Sequence, residues 1–211
     1  MNQPVVGVLD YGSGNLHSAC RALEAAGARV LLGQRWADFG GAAALVLPGV
    51  GAFAACMSQL RAIAGDDLVR EWVAAERKLL GICVGHQVLF TRGVEHGVDS
   101  AGIGIFPGTV ERLAAQRLPH MGWNTIEPPC DQGVFTGLSG RRFYFVHSYG
   151  VHARDAAGRA AVPSDALVAW AEHEGDRFVA AVQSGSVTST QFHPEKSSAA
   201  GARLLRSWLT S

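Results

Sequence analysis

Cys83 stands in Gly81-Ile82-Cys83-Val84-Gly85, a thiol with a glycine two residues away on either side. That is the G-x-nucleophile-x-G pattern, in which a sharp strand-to-helix turn pushes the central side chain outward and only glycines leave room for the neighbouring backbone. Cysteine in an apolar run is most often a small core residue, but a core thiol needs neither glycine. The positive end of a following helix also favours thiolate, the form that attacks carbonyl carbon. A nucleophile needs a base, and the base an orienting group. Of the eight histidines, His193 fits best, because "QFHPEKS" sets Glu195 two residues away, across Pro194, where a carboxylate can hold one tautomer and stabilise the imidazolium. Cys83, His193 and Glu195 are thus the candidate nucleophile, acid/base and orienter. His86, one helical turn after Cys83, and His147, at the end of an apolar strand, read as packed core histidines, since neither has an acid placed like Glu195.

These residues must be carried to one place. "PVVGVL", "ARVLL", "AALVLP" and "KLLGIC" are short apolar runs rich in β-branched or aliphatic residues, and helical spacing recurs over residues 15–26, 53–60 and 67–77. Near-continuous apolar strands alternating with helices predict an α/β fold with a largely parallel central sheet covered on both faces. The C-terminal edge of such a sheet collects functional residues, and both Cys83 and His193 follow a strand. After Gly97 the texture becomes β-rich: "IGIF", "TVERL", "WNTI", "FYFVHSY", "ALVAW", "FVAAVQ" and "VTSTQF" read as strands extending the same sheet, and residues 198–209 as a closing helix. "RGVEHGV" reads as a loop.

At 211 residues one domain, 1–211, is expected, with roughly 70% of the unfolded chain's surface buried. Lys plus Arg and Asp plus Glu both total 18, with no basic stripe, so nucleic acid is not expected as a partner. "MNQPVVGVLDYG" lacks a charged n-region and a long apolar core, and "AAALVLPGVGAFAACM" is broken by Pro48, Gly49 and Gly51. Neither a secretory signal, a membrane span nor a membrane partner is expected, and the location read is cytoplasmic. Cys20, Cys56, Cys83 and Cys130 then read as reduced thiols, and with no C-x-x-C among them no metal site is expected.

In this setting "DYGSGNL", "PGVGAF", "GICVGHQVLF", "PHMGWN", "YFVHSY" and "QFHPEKSS", in order and over nearly the whole chain, resemble the class I (triad) glutamine amidotransferases, and within them the glutaminase subunits of imidazole glycerol phosphate synthase. The resemblance implies a flavodoxin-like α/β fold and hydrolysis of glutamine through a Cys83 thioester. It gives acid/base and orienting roles to His193 and Glu195. It also implies an oxyanion hole from the Val50 and Val84 amides, a glutamine pocket lined by Gly51, Gln87, Glu95, Ser148 and Tyr149, and no cofactor. The implied partner is a separate (β/α)8-barrel cyclase in a heterodimer, met by Asn15, Trp123 and Lys196. His86 departs from the methionine common at that place in the subunit family. The glycines of "PGVG" further suggest a peptide at Val50 that turns its N–H away in the isolated chain.

Overall fold

The computed structural model describes residues 3–153 and 161–211. Its first half follows the apolar runs. Strand β1 (Val5–Leu9) leads to α1 (Leu16–Ala25), whose first turn is capped by Asn15, the side chain accepting from the Ser18 N–H at 3.2 Å. Strand β2 (Arg29–Gly33), β3 (Ala44–Gly49), α2 (Phe53–Ala62), α3 (Gly65–Ala74) and β4 (Lys78–Cys83) follow. The third helix ends three residues before Arg77, whose guanidinium lies over the Trp72 ring. Every residue of β3 is buried and all but the first of β4, which is why both strands are apolar throughout rather than alternating.

The chain after Cys83 departs further from expectation. The helix there, α4 (Val84–Gln87), is a single turn. It is followed by β5 (Phe90–Glu95) and β6 (Val98–Ala101), so Glu95 ends a strand rather than lying in a loop. "IGIF" is mostly irregular, and β7 (Phe106–Arg112) begins at its last residue. Strand β8 (His120–Thr125) starts three residues before "WNTI" and pairs with β9 (Arg142–His147). Then come β10 (Tyr149–Val151), β11 (Leu167–His173), β12 (Asp176–Ser184), β13 (Val187–Thr190) and α5 (Ser198–Thr210), which buries Leu204, Leu205 and Trp208.

The main sheet has seven strands in the order β11-β12-β13-β4-β3-β1-β2; β13 through β2 are parallel, and β11 and β12 join antiparallel. Of the late strands only β11 to β13 extend this sheet. β10, β7, β5 and β6 form a separate four-stranded sheet, β8 and β9 form a two-stranded one, and Tyr144 of β9 also bridges to His193. The three assemblies bring the ends of β3, β4 and β13 together with the ends of β5, β7 and β9.

Candidate active site

Cys83 closes β4 with φ 56° and ψ −112°, a positive φ that costs a non-glycine residue about 1–3 kcal/mol and persists only where packing enforces it. The enforcement comes from the flanking glycines. A Cβ on Gly85 would lie 1.9 Å from the Leu47 carbonyl oxygen, and one on Gly81 would lie 2.7 Å from that of Gly85. Gly49 at the end of β3 meets the same turn, its Cβ position being 2.5 Å from the Gly85 nitrogen. The elbow is therefore pressed backbone against backbone onto β3, and its side chain stands at the sheet edge.

Strand β13 lies beside β4 in parallel register, Thr190 opposite Ile82, so the chain leaving β13 passes next to Cys83. There His193 and Glu195 occupy a 3₁₀ turn over Pro194–Lys196. His193 Nδ1 and Glu195 Oε1 are 2.7 Å apart, with the two side chains only 2% and 4% exposed. Ser197 fixes this turn, its hydroxyl donating to the His193 carbonyl at 2.6 Å and accepting from the Tyr144 N–H at 2.9 Å. Burial pushes the His193 imidazole down, but the Cys83 sulfur and Glu195 carboxylate beside it outweigh burial and raise it to about 10. Nε2 has no hydrogen-bond partner among the described residues.

A cavity of about 560 Å³ opens on this group, lined by Cys83 and His193 together with Val50, Gly51, Val84, Gln87, Glu95, Ser148 and Tyr149. Of the ten residues expected at the reacting centre, nine are brought to its wall, and Glu195 lies inward behind His193. Glu95 does double duty, since its Oε2 also caps α2 by accepting from the Phe53 N–H at 2.7 Å. Val84 is the first residue of α4, where helical N–H groups have no partner within the helix. Val50 differs: its N–H donates to the Ser13 hydroxyl at 3.2 Å, and its carbonyl accepts from Ser13 Oγ at 2.8 Å and Cys56 Sγ at 3.2 Å. The Val50 amide is thus engaged by Ser13, which is not among the residues lining the cavity.

Several residues come to the site without a signal in the sequence. Gln191, fully buried, accepts from Gln87 Nε2 at 3.0 Å and points its own Nε2 at Cys83 Sγ from 4.0 Å. His96, Arg112, Leu118, Pro119 and Val146 also line the cavity. His147 is buried as expected and lines it too, and its environment fixes its tautomer. Its Nδ1–H donates to the Tyr149 carbonyl at 2.9 Å, leaving Nε2 to accept from His120 Nδ1–H at 3.2 Å, while His120 Nε2 accepts from Asn124 Nδ2 at 3.3 Å. Burial holds His147 near 3 and His120 near 4, so both stay neutral and the chain of bonds persists. The "PHMGWN" strand thus turns His120 inward while Met121 and Trp123, 62% and 44% exposed, face out. His86 is buried but does not bond locally: Nδ1 meets Ser189 Oγ at 2.7 Å and Nε2 is unpartnered among the described residues.

The three expected interface residues share the far side of this group. Asn15 lines a crevice with His193 and Glu195, and the exposed Lys196 ammonium lies 5.9 Å over the Tyr144 ring, which meets Trp123 edge-on at 6.2 Å.

Comparison with known proteins bears on this geometry. Residues 7–210 match the family model described as glutamine amidotransferase class-I. A relative from Cutibacterium acnes, "Imidazole glycerol phosphate synthase subunit HisH", is 55% identical over 99% of this chain and 98% of its own. A relative of the same name from Corynebacterium diphtheriae is 53% identical over 97% of each chain. Among solved structures, a glutamine amidotransferase shares the fold with a TM-score of 0.74 at 23% identity over 97% of both chains, and PurLQS from Thermotoga maritima with 0.73 at 18% over 99% of both. The chain belongs to the class-I glutamine amidotransferase family and, within it, to the group of its HisH relatives.

Proposed function

We propose that this chain is the glutaminase subunit of imidazole glycerol phosphate synthase, working in histidine biosynthesis in the cytoplasm as a single domain over 1–211. Cys83 attacks the side-chain amide carbon of glutamine, and the carbonyl oxygen becomes an oxyanion held by the Val84 N–H and, once it turns inward, the Val50 N–H. His193, oriented by Glu195, gives its Nε2 proton to the departing nitrogen, so ammonia leaves and a thioester remains. His193 then takes a proton from water as it adds to the thioester, and glutamate leaves with Cys83 restored. Gly51, Gln87, Glu95, Ser148 and Tyr149 hold the amino acid, Glu95 offering a carboxylate to its ammonium.

Ammonia at neutral pH is largely protonated and then not nucleophilic, which gives an enclosed transfer to a partner a chemical purpose. The partner is a separate (β/α)8-barrel cyclase, met through Asn15, Trp123 and Lys196. The reading rests above all on one observation: a buried His193–Glu195 pair at 2.7 Å whose histidine shares a cavity wall with a cysteine on a strained elbow. Its test is Cys83→Ala in the complex with the cyclase. Glutamine-dependent product formation should vanish while ammonia-dependent formation continues; retained glutamine hydrolysis would remove Cys83 from the mechanism.

A further inference from the structure

Arg112, the last residue of β7, lies opposite Tyr149 of β10 in antiparallel register, and it shares with Tyr149 and Glu95 the wall of the cavity that holds Cys83. Three observations distinguish it from an ordinary strand-end arginine. Among the described residues no carboxylate lies within ion-pair distance of its guanidinium; Glu111 faces His152 instead, at 4.0 Å, and Glu95 turns one oxygen, Oε2, to the first turn of α2. No backbone carbonyl accepts from it among the described residues either, whereas Arg61, Arg70, Arg77, Arg141, Arg142 and Arg203 are each tied to one. It also borders a second hollow, which shares His96, Arg112 and Tyr149 with the first, and its side chain is exposed there with no partner for its donors among the described residues.

The charges of the lining then form a pattern. Apart from the reacting Cys83 and His193, Glu95 is its carboxylate and Arg112 its guanidinium, His147 being held neutral near 3 by burial. A zwitterionic amino acid carries one charge of each sign on its α-carbon, several bonds from its reacting amide. A guanidinium fork matches a carboxylate with two parallel hydrogen bonds, which no point charge reproduces. We propose, resting on the glutaminase reading above, that Arg112 binds the α-carboxylate of glutamine and thereby selects an intact amino acid over other primary amides, acting with Glu95 as the two poles of the subsite.

The test uses the complex with its cyclase and two substrates, L-glutamine and 4-aminobutanamide, which is glutamine without its α-carboxylate. Glutamine hydrolysis by the unaltered complex checks the underlying reading; only the variant comparison bears on Arg112. Arg112→Gln should lower kcat/KM for glutamine by about 10-fold to 100-fold, mostly through KM, as expected for one charged hydrogen-bonded contact. It should leave 4-aminobutanamide within about twofold, and Arg112→Lys should recover part of the loss for glutamine. L-Glutamate and 4-aminobutanoate, compared as competitive inhibitors, supply the same contrast: the variant should weaken the first and not the second. Equal losses for both members of either pair would make Arg112 structural, and no loss for either would make it a solvated arginine; each result overturns the proposal.

Discussion

Replacing Ser13 by alanine should turn the isolated chain on. The Ser13 hydroxyl is the group that both accepts from the Val50 N–H, at 3.2 Å, and donates to the Val50 carbonyl, at 2.8 Å. The N–H and the carbonyl of Val50 belong to adjacent peptide groups, so only the N–H bond reports the orientation of the amide; at about 0.5–1.5 kcal/mol net for a neutral hydrogen bond, alanine removes about that much preference for the outward orientation. At 1.4 kcal/mol per tenfold, the inward population and with it lone-chain turnover should rise about 2-fold to 10-fold. Removing one oxyanion donor costs about 10² to 10³ in turnover, so the gain cannot exceed that ceiling. The assay is glutamine hydrolysis by the lone chain, by the complex, and by the complex with its cyclase site occupied. The variant should differ from the parent most in the first and least in the last. A folded Ser13→Ala chain with unchanged or lower turnover alone would refute the view that this hydroxyl holds the resting state.

His193→Ala should cost about 10² to 10⁴ in turnover, and Glu195→Gln less, because it leaves the proton carrier in place. Since the Glu195 carboxylate is among the groups that raise His193 to about 10, its loss should move the alkaline limb of the pH profile toward neutrality, and an unmoved limb would exclude that role. Burial pushes His86 down to about 3, so below an unfolded value of about 6.5 only the unfolded chain takes its proton, and stability falls as pH falls. His86→Met should cut the slope of unfolding free energy against pH by about 1.4 kcal/mol per pH unit between pH 6 and 4; denaturant titrations across that window would show an unchanged slope if the imidazole were already charged. Lys196→Glu, reversing an exposed charge above Tyr144, should weaken the complex by about tenfold while sparing lone-chain hydrolysis, and unchanged affinity in a binding titration would take Lys196 off the interface.

What the sequence disclosed divides along the chain for a physical reason. Strands β1, β3 and β4 are buried on both faces and so announce themselves as apolar runs, and the elbow announces itself because its glycines answer to backbone contacts that no other residue could satisfy. Strand β5 gives no such sign: in Phe90–Glu95 only Phe90 and Gly93 are buried, and Thr91 and Arg92 are exposed, so neither alternation nor an apolar run marks it. Glu95 accordingly reads as a loop acid, and only the resemblance gives it a place in the pocket. The turn His193–Glu195 was legible because its two partners are neighbours in the chain. Ser13, Gln191 and Arg112 were not, since each matters through partners far along the sequence: Ser13 meets Val50 37 positions away, Gln191 meets Gln87 104 away and Cys83 108 away, and Arg112 faces Tyr149 across a ladder.

Strands β4 and β13, paired side by side, carry the nucleophile and the chain leading to the base, whereas on the proposed reading the Val50 amide must leave Ser13 before it can serve the oxyanion. Acyl transfer needs both, because its tetrahedral intermediate carries a negative oxygen. Displacement at a saturated carbon, as by a haloacetyl reagent, forms no such oxygen and needs only the thiol. A chain that is idle toward glutamine is therefore still open to alkylation at Cys83, and its chemical wear follows exposure to electrophiles rather than its workload.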